Sequence, residues 1–159
     1  MSATTEYVSD DGEITLLVTN TVIDDWQFLK QDKKEKAEAF GVLIGGQNHD
    51  ASQFWIKACT TPLAKDKSTR TSFYLKDTRH QKFVDKHFKE SNGTSGYLGT
   101  WHSHPEPIPI PSHIDLKDWH SCCARNPDRK LIFVIVGISH FCMYHRTGKY
   151  FERICKESL

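Results

Sequence analysis

The sequence lacks the features of a secreted or membrane protein. Its 159 residues contain no apolar run approaching the about 18 residues that a membrane-spanning helix needs. The first twelve residues are polar and acidic, without the basic segment and apolar stretch of a signal peptide. Its five cysteines are an odd number, which favours reduced thiols over a disulfide framework. We therefore expect a cytoplasmic protein that does not bind a membrane.

A surplus of either charge is also missing. Lysine and arginine total 21 against 20 aspartates and glutamates, which leaves a formal net charge of +1. Such a balance gives no reason to expect a direct nucleic-acid partner. There is no internal repeat, low-complexity tract or convincing linker, so the length predicts one domain over residues 1–159 with a core at about 13–155.

Alternating hydrophobic patterns predict a mixed central sheet flanked by helices, of the α/β or α+β class. The predicted strands are 13–19, 38–45, 53–59, 72–75, 97–102, 131–136, 141–146 and 149–154. Helices are predicted to start near residues 20 and 77 and to span 112–123. We expect Gly45 and Gly46 to end the second strand, because paired glycines punctuate secondary structure.

The most informative segment combines two histidines with a later carboxylate. Side chains on a strand alternate with period two, so His102 and His104 point to one face and can bind a single ion. A third ligand must come from another element, and Asp115 follows a turn that holds four prolines. Two imidazoles and one carboxylate leave a fourth position for water, which is typical of catalytic zinc. We predict one Zn²⁺ per chain, although the same ligands tolerate other divalent metals.

Ser112 supports two interpretations. With Asp115 three positions later, it matches a capping box at the start of a helix. Its hydroxyl could instead donate to the oxyanion that forms when a carbonyl is attacked beside the metal. Both roles are compatible for Ser112, but we expect that Asp115 cannot fully serve as the reciprocal cap if it binds zinc.

These residues resemble the signature of the JAB/MPN metalloprotease family, which is a distant glutamate, then His-x-His, then Ser-x-x-Asp. The second part is present at 102–105 and 111–115, and Glu38 occupies the position of the upstream glutamate. The resemblance covers nearly the whole chain and implies a JAB/MPN fold with a cytidine-deaminase-like architecture. It also implies that Glu38 is the general acid/base, a role that periodicity alone does not assign.

Within the family, the compact length and the Trp-His-Ser-His-Pro form resemble bacterial members, in particular the deubiquitinase-like proteases of CBASS anti-phage operons. That resemblance implies an isopeptidase that cleaves after the C-terminal tail of a ubiquitin-like modifier or a conjugated nucleotidyltransferase. An E1/E2-like conjugating protein would then be a further partner. We expect the loops 106–110 and 60–70 to contact the substrate tail.

Other functions remain to be weighed. A relative could trim the C-terminus of a ubiquitin-like or sulfur-carrier protein, with the same zinc chemistry on a linear peptide bond. A non-catalytic, zinc-stabilised binding module is a second alternative. A cytidine deaminase would need His-x-Glu followed by Pro-Cys-x-x-Cys, which the adjacent Cys122 and Cys123 do not supply. A cysteine protease has no local sequence support, since free cysteines are usually small core residues.

Overall fold

An eight-stranded mixed sheet forms the centre of the protein in a computed structural model that describes residues 3–159. The strand order across the sheet is β1-β2-β4-β3-β7-β8-β9-β10, and β5 and β6 form a separate two-stranded ribbon. The strands are β1 Thr4–Val8, β2 Thr15–Thr19, β3 Phe40–Gln47, β4 Gln53–Cys59, β5 Lys67–Ser68, β6 Phe73–Tyr74, β7 Gly96–Ser103, β8 Ile132–Val136, β9 His140–Thr147 and β10 Tyr150–Ser158. The helices are α1 Asn20–Leu29, α2 Arg79–Glu90 and α3 His113–Arg125. The predicted class, a mixed sheet flanked by helices, is confirmed.

The helices cover both faces of the sheet. On β8, Val134 belongs to the core cluster that also contains Trp26 of α1, whereas its neighbour Phe133 belongs to the cluster with Trp119 of α3. Alternation along this strand therefore sends successive side chains into two cores, as expected for a strand buried on both faces. α2 packs its Val84 on the β3 residues of a third cluster.

The neighbours of β7 determine what surrounds its histidines. β7 pairs antiparallel with β3 and parallel with β8, and the register places His102 opposite Phe40 on one side and Ile135 on the other. Beyond the paired residues, the Ser103 amide donates to the Ala39 carbonyl at 2.9 Å. The chain segment just before β3 is thereby held beside the end of β7.

The prediction that Gly45 and Gly46 end the second strand is wrong. β3 continues to Gln47, and the reason is steric: a Cβ on Gly45 would lie 1.6 Å from the Trp55 carbonyl oxygen of the neighbouring strand. Glycine permits this close approach of two backbones inside the sheet. Gly99 is required in β7 for a similar reason, since it combines a φ of 140° with a Cβ position 1.8 Å from the Ile132 oxygen.

Sequence patterns found most elements but missed the first strand. β1 lies before the predicted core and pairs antiparallel with β2, so the sheet extends from Thr4 to Ser158. The polar alternation of residues 4–8 carries too little hydrophobic signal to be separated from a loop. Among residues 3–159, no helix has the length and apolar character needed to span a membrane.

Candidate metal centre and cleft

The paired histidines lie at the C-terminal end of β7. His102 is the penultimate residue of the strand and is 2% exposed, and His104 follows the strand. The His104 amide donates to the Val136 carbonyl at 2.9 Å, which keeps the chain extended beside β8. The Nε2 atoms of His102 and His104 lie 3.1 Å apart, so the two rings face the same point, as the period-two alternation of strand side chains predicts.

Asp115 approaches both histidines from the first turn of α3. Its Oδ1 lies 3.1 Å from His102 Nε2, and its Oδ2 lies 3.1 Å from His104 Nε2. Burial alone would raise the pKa of Asp115, but hydrogen bonds from the two imidazoles outweigh it and hold that pKa well below its usual range. Asp115 is therefore an ionised carboxylate beside two imidazole nitrogens.

Glu38 reaches the same histidines from the residue pair that precedes β3. Its amide donates to the Thr69 carbonyl at 2.8 Å, and its side chain is largely buried. Ligand atoms of Glu38, His102 and His104 all lie within 4.8 Å of one another. Burial raises the pKa of the Glu38 carboxyl to about 7, and the Asp115 charge adds to this shift while the His104 charge opposes it.

Either carboxylate could complete a three-ligand metal site with the histidines. Asp115 suits the ligand role better, because it is ionised and contacts each imidazole at 3.1 Å. Donors bound at about 2.0 Å to a tetrahedral zinc lie about 3.3 Å apart, which is close to these separations. Glu38, which titrates near neutral pH, is better suited to moving protons. The donor set and its spacing therefore fit zinc.

Ser112 and Asp115 form a complete capping box. The Asp115 amide donates to Ser112 Oγ at 3.1 Å, and the Ser112 amide donates to Asp115 Oδ2 at 2.9 Å. The expectation that Asp115 cannot fully serve as the reciprocal cap when it binds zinc stays a prediction. A carboxylate offers about four lone-pair sites, so Oδ2 can accept from the Ser112 amide and still face His104.

A buried polar network near Glu38, which the sequence did not predict, connects the end of β7 with the segment just before β3. Ser103 Oγ donates to Gln31 Oε1 at 2.7 Å and accepts from the Ala39 amide at 2.8 Å. Gln31 is fully buried, and its Nε2 donates to the carbonyls of Lys36 and Arg70. Period-two alternation would have pointed Ser103 away from the histidines and into the core, but no sequence signal identifies Gln31.

Phe73 of the β5–β6 ribbon contacts His102, which the sequence did not predict. Its ring stacks on Phe40 with centroids 4.6 Å apart and lies 5.4 Å from the His102 ring. The ribbon therefore covers one side of the histidine pair with an aromatic ring. This contact connects two segments about 30 residues apart in the chain, and no local pattern records it.

The histidines and carboxylates open into a cleft of about 1140 Å³ between the ribbon, α2 and α3. Glu106 and Ile110 of the predicted loop 106–110 line it. The other predicted loop, 60–70, does not; the residues that line the cleft are the following ones, 71–75. Within this loop the Asp66 side chain points inwards and bonds the buried His80, whereas Ala64, Lys65 and Lys67 are exposed. Contact between the loop and a substrate tail stays a prediction.

Comparison with known proteins assigns the family. A family model described as prokaryotic homologs of the JAB domain matches residues 27–147. Because that match covers well over half of the sequence, the chain belongs to the prokaryotic JAB-domain family. The resemblance to bacterial JAB/MPN proteins is thereby confirmed.

Several relatives carry the name CD-NTase/cGAS isopeptidase. The relative from Escherichia coli (strain TW11681) is 33% identical over 129 residues, which cover 80% of this chain and 80% of that protein. The relative from Pseudomonas aeruginosa (strain BWHPSA011 / Pa011) is 29% identical over 138 residues, 86% of each chain. A third, from Vibrio cholerae serotype O1, is 29% identical over 132 residues, covering 83% of this chain and 82% of the relative.

A solution structure of a Desulfitobacterium hafniense protein has the same fold. The TM-score is 0.59 at 19% sequence identity, and the match covers 86% of this chain and 87% of that one. At this identity the likeness concerns the fold alone.

Proposed function

We propose that this protein is a zinc-dependent isopeptidase that cleaves after the C-terminal residue of a ubiquitin-like modifier or of a conjugated protein. The observation that carries the proposal is the set of 3.1 Å separations among His102 Nε2, His104 Nε2 and the Asp115 carboxylate, with Glu38 beside them. Membership of the JAB-domain family and the isopeptidase names of the relatives support the class of reaction.

His102, His104 and Asp115 are the residues that would hold the metal. A zinc ion held by these residues would supply a Lewis acid and an activated water near neutral pH. Both imidazoles must be unprotonated at Nε2 to bind it, and the ionised Asp115 carboxylate would compensate part of its charge.

Glu38 is the proposed general acid/base. A carboxyl group with a pKa of about 7 is populated in both protonation states at neutral pH. Glu38 can therefore take a proton from the attacking water and return it to the leaving amine. The same group would be a poorer proton donor at its ordinary pKa, because it would hold a proton too rarely.

Ser112 is the proposed oxyanion donor. Its oxygen already accepts the Asp115 amide in the capping box, so the cap occupies a lone pair and leaves the hydroxyl proton available. The residue is exposed and lines the cleft beside Asp115. From this position its hydroxyl can donate to the charge that develops on the attacked carbonyl oxygen.

The cleft suits an extended C-terminal tail. Exposed apolar side chains border it on both sides, with Tyr74 62% exposed on the ribbon and Ile110 and Ile114 67% and 77% exposed near the prolines. Among residues 3–159, β6 pairs with β5 alone, so its backbone could accept the tail as an added strand. Both features favour binding through the backbone and small apolar contacts.

We further propose that the substrate is a nucleotidyltransferase conjugated through its C-terminus by an E1/E2-like protein, in cytoplasmic anti-phage defence. The relatives are named for action on CD-NTase/cGAS proteins, and the sequence resembles proteases of CBASS operons. A processing protease for a ubiquitin-like or sulfur-carrier protein is the alternative function with the same chemistry.

Two measurements test the proposal together. Elemental analysis should find about one zinc per chain, and a folded His102→Ala, His104→Ala variant should lose it. The zinc-loaded protein should then cut an isopeptide-linked conjugate bearing the nucleotidyltransferase tail faster than a linear fusion of the same tail. Preference for a linear carrier fusion would favour the processing protease. Stable binding of the conjugate without cleavage, or absence of any transition metal, would refute the enzymatic proposal and favour a binding module.

A further inference from the structure

Glu106 contacts the candidate metal centre from outside. Its Oε1 lies 3.0 Å from His104 Nδ1 and also accepts from the Ile110 amide at 3.0 Å. An ionised carboxylate can only accept hydrogen bonds, so the contact requires a proton on His104 Nδ1. A metal must then bind through Nε2, the nitrogen that faces His102 and Asp115, and displace any proton held there.

The backbone of Glu106 is fixed independently of its side chain. The Ile138 amide donates to the Glu106 carbonyl at 2.9 Å, and a Cβ on Gly137 would lie 2.7 Å from the same oxygen. The turn between β8 and β9 therefore packs tightly under residue 106. A carboxylate on such an anchored backbone can hold a neighbouring ring in one orientation.

The two histidines differ in what holds their rings. His102 is 2% exposed and packs against Phe73, so the core and the ribbon limit its rotation. The His104 side chain is 13% exposed and lies beyond the end of β7, where less packing surrounds it. A hydrogen bond to Nδ1 is therefore of more consequence for His104 than for its partner.

We propose that Glu106 is a positioning residue that selects the Nδ1–H tautomer of His104 and thereby presents Nε2 to the metal. Through Ile110 the same oxygen also braces the proline-rich loop that leads to Ser112 and Asp115. One side chain thus connects His104, just after β7, with the loop that leads to Asp115 in α3. The inference rests on the proposed metal site and adds to it a residue outside the family signature.

Zinc affinity of the metal-stripped protein, measured by competition with a chelating dye, tests this role without relying on activity. Outer partners of ligating histidines typically contribute about 10–100-fold in metal affinity. We expect that much weakening in Glu106→Ala. Glu106→Gln retains an acceptor oxygen of the same reach and should stay within about threefold of the original protein. Glu90→Ala, at an exposed carboxylate in α2, is the matched control and should be unchanged.

Two controls distinguish a misfolded variant, or a protein that binds no zinc at all, from a Glu106 that does not position His104. Circular dichroism before metal addition checks each variant, and Glu106→Met, which preserves length without a strong acceptor, replaces the alanine variant if that one does not fold. Wild-type affinity in Glu106→Ala or Glu106→Met, or equal losses in the glutamine and alanine variants, would overturn the positioning role. If the original protein itself binds no zinc, the proposed function fails and the inference fails with it.

Discussion

Burial of Glu38 should destabilise the metal-free protein at alkaline pH, and Glu38→Gln should relieve this cost. The carboxyl titrates at about 7 in the folded protein instead of its ordinary 4.5, because burial disfavours the charged form. A folded-state pKa raised above the unfolded value means that the folded protein binds more protons between these two values. Stability therefore falls as pH rises from about 4.5 to about 7.

The size of the effect follows from the same shift. The pKa of Glu38 rises from 4.5 to about 7, and each step of one in pKa corresponds to about 1.4 kcal/mol. The whole rise therefore corresponds to about 3 kcal/mol of unfolding free energy. Because the carboxyl borders an open cleft, solvent screening reduces this to about 2 kcal/mol. The full cost applies above pH 7, and less than about 1 kcal/mol applies at pH 5, where the folded carboxyl is mostly protonated.

Urea unfolding of metal-stripped protein at pH 5 and pH 8 measures this cost directly. We expect Glu38→Gln to be more stable than the original protein by about 2 kcal/mol at pH 8 and nearly equal to it at pH 5. Glu13→Gln changes an exposed carboxylate and should behave like the original protein at both values. A Glu38→Gln protein that gains nothing at pH 8, or gains equally at both pH values, would refute the reasoning.

Three further outcomes follow from the same contacts. Ser103→Ala leaves the Ala39 amide and Gln31 Oε1 without their partner, so it should lower the unfolding free energy by about 3 kcal/mol in urea titrations, while Ser103→Thr should lose less. Gly99→Ala should lower the unfolding free energy by at least about 3 kcal/mol or make the protein insoluble, because its Cβ would clash with the Ile132 carbonyl. Gly148→Ala has open space around its Cβ and should lower the unfolding free energy by only about 1 kcal/mol in thermal unfolding. Zinc affinity should fall as the pH is lowered from 8 to 5.5. Burial lowers the pKa of His104, but contacts with Asp115 and Glu106 outweigh it and raise that pKa, and the protonated ring cannot bind metal. A zinc affinity that does not change with pH in dye competition would contradict this.

Local periodicity sufficed for the parts of the site that lie close together in the chain. Period-two alternation correctly puts His102 and His104 on one face, and the Ser-x-x-Asp spacing correctly predicts the capping box of α3. Both arguments concern residues within one element, where backbone geometry alone fixes the relative directions of side chains. The same reasoning found most strands and all three helices.

Features that depend on packing between distant segments could not be read from the sequence. Glu38 reaches the histidines through the β3–β7 register, and only the family resemblance selected it. Gln31 bonds residues up to 72 positions away, so no window around it contains the signal. The approach of Phe73 to His102 likewise depends on how the ribbon folds over the sheet.

The two carboxylates show how local structure separates acid from ligand within one cleft. Asp115 is the third residue of α3, where the Ser112 amide and two imidazoles donate to its oxygens and stabilise its charge. Glu38 precedes an apolar strand. Burial raises the pKa of its carboxyl, and the charge of His104 opposes this rise only in part. Their pKa values therefore move in opposite directions although both face the same histidines. Contacts with the two imidazoles favour the charged form of Asp115, whereas burial leaves Glu38 able to exchange a proton near neutral pH.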